Sequence, residues 1–150
     1  MQQEGNRKLG LSTRDTMRVA QRLYEEGLIT YMRTDSPNLS QEAIQAARTL
    51  VKDLYGADYL SPEPRNFTAK NKGAQEAHEA IRPAGAQFVH PKDTGLDGRE
   101  LQVYELIWKR AVATQMADAK KLSVSVRMSA ADAIFSASGT RILFPGYLRA

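Results

Sequence analysis

The sequence predicts a mainly α-helical protein of the α+β class, in which helices come first and β-strands close the chain. Through most of the first 118 residues, apolar side chains recur every three to four positions, which is helical spacing. From Leu122 to Met128, apolar residues alternate with Ser and Arg, which is strand spacing. The composition, 42% hydrophobic and 25% charged, is that of a globular protein. We therefore divide the chain into a helical domain over 1–118 and a β tail over 119–150.

The first predicted helix covers about residues 12–26. Ser12 and Asp15 have the spacing of a capping box, in which the side chain of the first residue accepts a hydrogen bond from the third residue of the helix. Gly27 follows as a residue that can end the helix in a left-handed conformation. A short extended piece over 28–32 comes next, because it contains β-branched and aromatic residues.

A second helix is predicted over about 41–55, with Ser40 as its N-cap. Its spacing from the first helix could place a winged-helix-like unit here. A short helix over about 74–81 should stop at Pro83. A longer one should begin with the capping-box-like pair Asp97 and Glu100 and run to about Met116, with Tyr104 and Trp108 in the core.

Three strands are predicted in the tail. They cover 122–128, Ile134-Phe135 and 142–144, with Gly139 in the turn between the last two. Three short strands with one polar face bury little apolar surface by themselves. The tail is therefore either part of one small α+β fold or a piece of a larger sheet.

Composition and charge exclude several function classes. The chain has no cysteine, which excludes disulfides, thiol nucleophiles and cysteine-ligated zinc. Its only histidines are His78 and His90, which excludes a multi-histidine metal site. No apolar run is long enough to cross a membrane, so no membrane partner is expected. The net charge of +4 mildly favours an anionic partner.

The densest polar cluster is in residues 30–36, TYMRTDS. In an extended segment Tyr31 and Arg33 share one face, and Thr30 and Met32 share the other. A phenol is an oxygen nucleophile and a guanidinium is a fork of donors for phosphate oxygens, so the pair suits a phosphodiester. A core or interface tyrosine beside a solvated arginine would give the same pattern.

A second cluster, QEAHEAIR, covers residues 75–82. On a helix His78 and Arg82 share a face, which suits phosphate contact or proton transfer. A histidine bonded to a neighbouring carboxylate is the alternative. The cluster lacks the second histidine of the H-E-x-x-H zinc motif, and the chain has no glycine-rich phosphate loop.

These two clusters resemble the signatures of the type IA DNA topoisomerases. Residues 27–36, GLITYMRTDS, are similar to the family's active-site tyrosine segment, and residues 75–83, QEAHEAIRP, to its second signature. Three further stretches are similar in the same order, namely 9–12 (LGLS), 106–110 (LIWKR) and 144–147 (FPGY). Methionine after the tyrosine favours the topoisomerase I branch over the topoisomerase III branch.

The resemblance implies relaxation of negatively supercoiled or single-stranded DNA through a transient 5′-phosphotyrosine link, without ATP. It implies catalytic roles for Tyr31, Arg33 and His78, and DNA contacts for Arg33, Thr30, Asp35 and Arg82. It also implies a cytoplasmic, nucleoid-associated protein.

The same resemblance implies that parts of the enzyme lie outside this chain. The Mg²⁺ site and a catalytic lysine belong to a Toprim domain that would precede Met1, so no metal is expected on this chain. Residues 1–118 would be the tyrosine-bearing third domain with a winged-helix or CAP-like fold, and residues 119–150 a part of the arch domain. The chain alone is then expected to be inactive. The alternative function is a non-catalytic, winged-helix-like DNA-binding module.

Overall fold

The computed structural model describes residues 1–68 and 79–150, and it is mainly α-helical with one small sheet. The α-helices are α1 (Gln2–Leu9), α2 (Thr13–Glu25), α3 (Gln41–Tyr55) and α4 (Gly98–Ala113). The strands are β1 (Lys120–Ala130) and β2 (Ala133–Phe144), and short 3-10 helices cover Ala57–Tyr59, Pro91–Asp93 and Gly146–Arg149. The predicted α+β class is confirmed.

The N-caps predicted for α2 and α3 are formed. The Ser12 hydroxyl oxygen accepts a hydrogen bond from the Asp15 amide at 3.0 Å, and Ser40 accepts one from the Ala43 amide at 3.2 Å. These bonds satisfy amide groups that have no partner within the first helical turn. Local sequence therefore sets where both helices begin.

The capping box predicted for α4 is not formed. Asp97 is the N-cap residue, but its side chain makes no capping hydrogen bond. Glu100 instead accepts a hydrogen bond from Arg22, which ties α4 to α2. The helix ends at Ala113, earlier than predicted, and turns lead on to Met116.

Helix α1 lies in a segment for which the sequence predicts no element. Gly5 is its only fully buried residue, so it lacks the repeated apolar positions by which helices are recognised. Tertiary packing holds it in place, because Gly5 lies so close to α2 that a Cβ there would be 2.7 Å from the Thr16 hydroxyl oxygen.

The core of the molecule lies between α2, α3 and α4. Tyr104 and Trp108 are almost completely buried, as predicted, and His90 packs edge-on against the Trp108 ring. Further fully buried side chains on these three helices include Leu23, Ala47, Val51, Val103 and Val112. The apolar faces of the three helices therefore form one hydrophobic core.

The tail is a single antiparallel hairpin rather than three strands. Residues 134–135 and 142–144 belong to one strand, β2, and Gly139 pairs with Val124 inside the sheet. The turn falls at 131–132, where Ala131 has a φ of 52°. The predicted turn at Gly139 is wrong because an isolated glycine also occurs inside strands.

Both faces of the hairpin are exposed to solvent. The register places five apolar side chains on one face, where each is roughly half exposed: Leu122, Val124, Val126, Met128 and Phe135. Ile134 and Ile142 are also exposed, and they lie on the other face. Among the described residues the sheet has only these two strands. No helix among the described residues is long and apolar enough to cross a membrane.

Candidate active site

The tyrosine segment begins where α2 ends in a tight turn. The Gly27 amide donates to the Tyr24 carbonyl and the Leu28 amide to the Leu23 carbonyl, each at 2.9 Å. Gly27 has a φ of 73°, a conformation that costs glycine little and other residues more. The chain therefore turns away from α2 just before Thr30.

Residues 28–30 lie alongside residues 82–84, so the two sequence clusters meet in space. Ile29 pairs with Pro83 in an antiparallel bridge. On either side of it, the Thr30 amide donates to the Arg82 carbonyl and the Ala84 amide to the Leu28 carbonyl, each at 2.9 Å. Only this short bridge is sheet-like, so the predicted extended piece over 28–32 is correct for its first part only.

The side chains that follow alternate between solvent and core. Tyr31 is 37% exposed and Arg33 is exposed, whereas Met32 between them is 6% exposed. Met32 belongs to the hydrophobic core and Thr30 is half-buried. The Tyr31 phenol and the Arg33 guanidinium therefore face solvent, and the Met32 side chain between them in sequence is buried. This agrees with the faces expected from the sequence.

The Tyr31 ring is oriented by a second tyrosine. Tyr24, in the last turn of α2, meets it edge to face with ring centroids 5.3 Å apart and an interplanar angle of 70°. This arrangement is favourable because the positive edge of one ring meets the negative face of the other. It restricts the positions that the phenol can take at the surface.

A surface pocket of about 590 Å³ opens beside Arg33. Its lining combines apolar and polar side chains and comes from α1, α2, the tyrosine segment and the second cluster: Met1, Gln2, Gln3, Met17, Met32, Thr34 and Ile81. A guanidinium at the edge of apolar surface can bind a phosphate while leaving room for the rest of a ligand.

Asp35 is exposed just beyond this pocket. The turn that presents it is held by two local hydrogen bonds, from the Ser36 amide to the Thr34 hydroxyl and from the Asn38 amide to the Ser36 hydroxyl. An exposed carboxylate next to Arg33 is a polar group that can approach a bound ligand, but it repels a phosphate unless a cation lies between them.

The hydroxyl of Thr30 makes its hydrogen bonds within the protein. It donates to the Ala80 carbonyl at 2.8 Å and accepts from the Arg82 amide at 3.0 Å. Thr30 therefore links the tyrosine segment to the second cluster by its side chain as well as its backbone.

Arg82 is buried, with 7% of its side chain exposed. Its guanidinium donates to Glu79 at 2.7 Å and to the carbonyl oxygens of Pro83 and Gly85 at 2.8 and 3.1 Å. It also lies 5.9 Å from the centroid of the Phe88 ring. These contacts place the charge of Arg82 inside the fold.

Glu79 connects this arginine to helix α3. Its second carboxylate oxygen accepts a hydrogen bond from the Ser40 amide, at the N-cap of α3, at 2.7 Å. Partial burial by itself raises the pKa of Glu79, but the hydrogen bonds from Ser40 and Arg82 outweigh it, and the pKa lies below the ordinary value of 4.5. The sequence does not single out Glu79, because no local spacing links it to Ser40.

His78, the third predicted catalytic residue, lies outside the described residues. The helix predicted over 74–81 also lies mostly outside them, and its described part, 79–81, is not helical. The face that His78 and Arg82 would share on such a helix is therefore not seen.

No group of three or more His, Asp or Glu residues in 1–68 and 79–150 could hold a metal ion. The tyrosine segment exposes a phenol, a guanidinium and one carboxylate, from Tyr31, Arg33 and Asp35. A phenol and a guanidinium suit phosphate chemistry, whereas a hard cation takes several oxygen ligands.

Comparison with known proteins identifies the family of this chain. A sequence profile described as DNA topoisomerase matches residues 1–150. The chain belongs to the DNA topoisomerase family. The protein named DNA topoisomerase 1 in Synechocystis is 65% identical over 150 residues, and the one in Streptomyces coelicolor is 57% identical over 155 residues.

These family members are much longer than this chain. The chain is covered completely in both matches but spans 17% of the Synechocystis protein and 16% of the Streptomyces protein. The full-length topoisomerase I of Thermotoga maritima has a similar structure, with a TM-score of 0.80 and 35% identity over 99% of this chain and 25% of its own.

Proposed function

We propose that this chain is the tyrosine-bearing part of a type IA DNA topoisomerase that relaxes negatively supercoiled DNA without ATP. The observation that carries the proposal is the pair of solvent-facing side chains, Tyr31 and Arg33, on either side of the buried Met32. A nucleophilic oxygen and a phosphate-binding fork are thereby held at one surface of a topoisomerase family member.

The proposed reaction exchanges one phosphodiester for another. The phenolic oxygen of Tyr31 attacks a backbone phosphorus of single-stranded DNA, and the bond from that phosphorus to the 3′-oxygen breaks. The phenol loses its proton and the departing 3′-oxygen gains one, which leaves a 5′-phosphotyrosine link and a 3′-hydroxyl. A strand passes through the gap, and attack by the 3′-hydroxyl reverses the link. No ATP is needed because the covalent link retains the energy of the bond.

Arg33 would bind the scissile phosphate and stabilise the negative charge that develops on its oxygens during attack. His78 would contact phosphate or assist proton transfer, and Asp35 would lie beside the bound DNA. The internal hydrogen bonds of Thr30 and Arg82 favour a supporting role for these two residues rather than contact with DNA.

We further propose that the reaction needs parts of the enzyme outside this chain. Mg²⁺ would bind in a Toprim domain, and the arch would complete the ring that holds the broken ends. DNA and those domains are then the partners of this chain, within the bacterial cytoplasm at the nucleoid. Residues 119–150 would belong to the arch.

The test is a chimera in which this chain replaces the matching 150 residues of the Synechocystis protein. The parental chimera should relax plasmid DNA and form a covalent adduct, and Tyr31→Phe should abolish both because only the nucleophilic oxygen is lost. Tyr147→Phe is the matched control, since Tyr147 is 43% exposed and Tyr31 is 37% exposed. Strand cleavage by Tyr31→Phe would refute the assignment and favour a non-catalytic DNA-binding module.

The isolated 150-residue chain gives a second test. We expect no relaxation with Mg²⁺ present, because a phenol is a weak nucleophile until neighbouring groups activate it. Relaxation that disappears in Tyr31→Phe would show that the chain is sufficient by itself.

A further inference from the structure

We propose that Thr30 and Arg82 are positioning residues that hold the Tyr31 segment against residues 79–84, and that neither contacts DNA. The inference rests on the proposed function, since it concerns the placement of the tyrosine. Both residues lie inside the sequence clusters that would otherwise be assigned to DNA binding as a whole.

The Thr30 hydroxyl already uses its single donor within the protein. A threonine hydroxyl has one donor and two acceptor positions. The single donor is directed at the Ala80 carbonyl at 2.8 Å, and one acceptor position takes the Arg82 amide at 3.0 Å. Phosphate oxygens of DNA accept hydrogen bonds and cannot donate them. Thr30 could therefore bind a phosphate only by giving up its bond to Ala80.

The Arg82 guanidinium is buried and already paired within the protein. Three donations from its terminal nitrogens end on protein oxygens, and 7% of the side chain is exposed. A phosphate would have to displace Glu79, which is already paired with this guanidinium at 2.7 Å. The remaining nitrogen, Nε, is buried and has no hydrogen-bond partner in the described part of the chain.

The two residues form one continuous connection from helix α3 to the nucleophile. The Ser40 amide at the N-cap of α3 bonds to Glu79, and Glu79 bonds to the Arg82 side chain. The Arg82 backbone bonds to Thr30 through both its amide and its carbonyl, and Thr30 immediately precedes Tyr31. A shift of Arg82 or Thr30 therefore moves the backbone that carries the phenol.

The consequence for catalysis is a loss of rate without a loss of binding. Misplacing a reacting group by about 1 Å can cost about 100-fold in rate. A residue that contacts DNA would instead weaken the complex, and for a charged residue it would also change the salt dependence of binding.

The experiment uses the chimera with the Synechocystis protein. Cleavage rates are measured at saturating single-stranded DNA for Thr30→Val, Thr30→Ser and Thr49→Val. Thr49 is the matched control, because it is an exposed threonine on α3. Affinity is measured separately in a Tyr31→Phe background, in which no covalent link forms, and thermal unfolding is recorded for every variant.

For Thr30→Val we expect a cleavage rate about 10- to 100-fold lower, with unchanged affinity for DNA. Thr30→Ser retains the hydroxyl and should recover most of the rate, and Thr49→Val should cleave at the parental rate. Parental cleavage by Thr30→Val would overturn the proposal, as would a drop in affinity that accounts for the lost rate. If Thr30→Val does not fold, a Thr30→Ser variant that is folded but as slow as an Arg33→Gln variant would overturn it.

Arg82 is tested by the salt dependence of DNA binding, again in the Tyr31→Phe background. Removing one phosphate contact to single-stranded DNA should lower the slope of log affinity against log salt by about 0.7. We expect that change for Arg33→Gln and no change for Arg82→Gln. An equal change for Arg82→Gln would overturn the positioning role. The salt dependence of binding can be measured without cleavage, so it tests the inference even if the parental chimera is inactive. An inactive parental chimera would count against the proposed function alone.

Discussion

Gly146, at the junction between the hairpin and the helical part, is the position where an added methyl group should be most damaging. Its φ is 50°, and a Cβ there would lie 2.5 Å from the Ala117 carbonyl oxygen and 2.6 Å from backbone atoms of Asp118. These are backbone atoms, which cannot rotate out of the way as the end of a side chain can. We therefore expect Gly146→Ala to destabilise the chain through conformation and through sterics.

The free-energy cost of each effect can be estimated separately. A left-handed conformation costs a residue with a Cβ about 1–2 kcal/mol, and forcing an extra carbon into a packed site costs about 1–3 kcal/mol. Together they amount to about 2–5 kcal/mol, which for a chain of this size lowers the melting temperature by about 4–20 °C. The clash is relieved only if the last residues lift away, which breaks the bond of 2.9 Å from the Tyr147 amide to the Ala117 carbonyl.

The assay compares Gly146→Ala with Gly139→Ala in the 150-residue chain. Gly139 is the control because a Cβ there meets nothing within 4 Å and its φ is not in the left-handed region. Thermal unfolding measures the stability, and hydrogen exchange at the Tyr147 amide reports whether the junction opens. A Gly146→Ala chain as stable and as protected as Gly139→Ala would refute the reasoning.

Three further predictions concern charge. Arg33→Lys in the chimera should lower the cleavage rate while DNA affinity changes little, because lysine keeps the charge but loses the two-pronged geometry; a parental rate would show that charge alone matters. The isolated chain, with a net charge of +4, should bind DNA without sequence preference, and its affinity measured by titration should fall steeply with salt; salt-insensitive binding would contradict this. Because the pKa of Glu79 is lower in the folded chain than its ordinary value of 4.5, its ionised form stabilises the fold above that pH, and this contribution is lost as the pH falls through the folded pKa. The difference in unfolding free energy between the parent and Glu79→Gln should therefore shrink on acidification below pH 4.5, and a constant difference would refute it.

Features of this protein that have local causes follow from its sequence. Helices α2 and α3 begin at Ser12 and Ser40 because each hydroxyl caps an amide three residues away, and such a contact needs no other part of the chain. The alternation of exposure at 31–33 also follows from local geometry. The exposure of Tyr31 and Arg33, the residues proposed for chemistry, is therefore predictable from the sequence.

Features that depend on residues far apart in the chain are set by tertiary packing. Helix α1 has almost no buried positions of its own and is held by its close approach to α2. The pairing of Ile29 with Pro83 joins two segments more than fifty residues apart, and it leaves Arg82 buried against Glu79 rather than exposed to a ligand. Sequence spacing reports on neighbours within a helix or strand, whereas the partner of a buried charge is chosen by the packing of separate segments. For that reason only the folded chain shows which groups near Tyr31 face solvent and which support it from within.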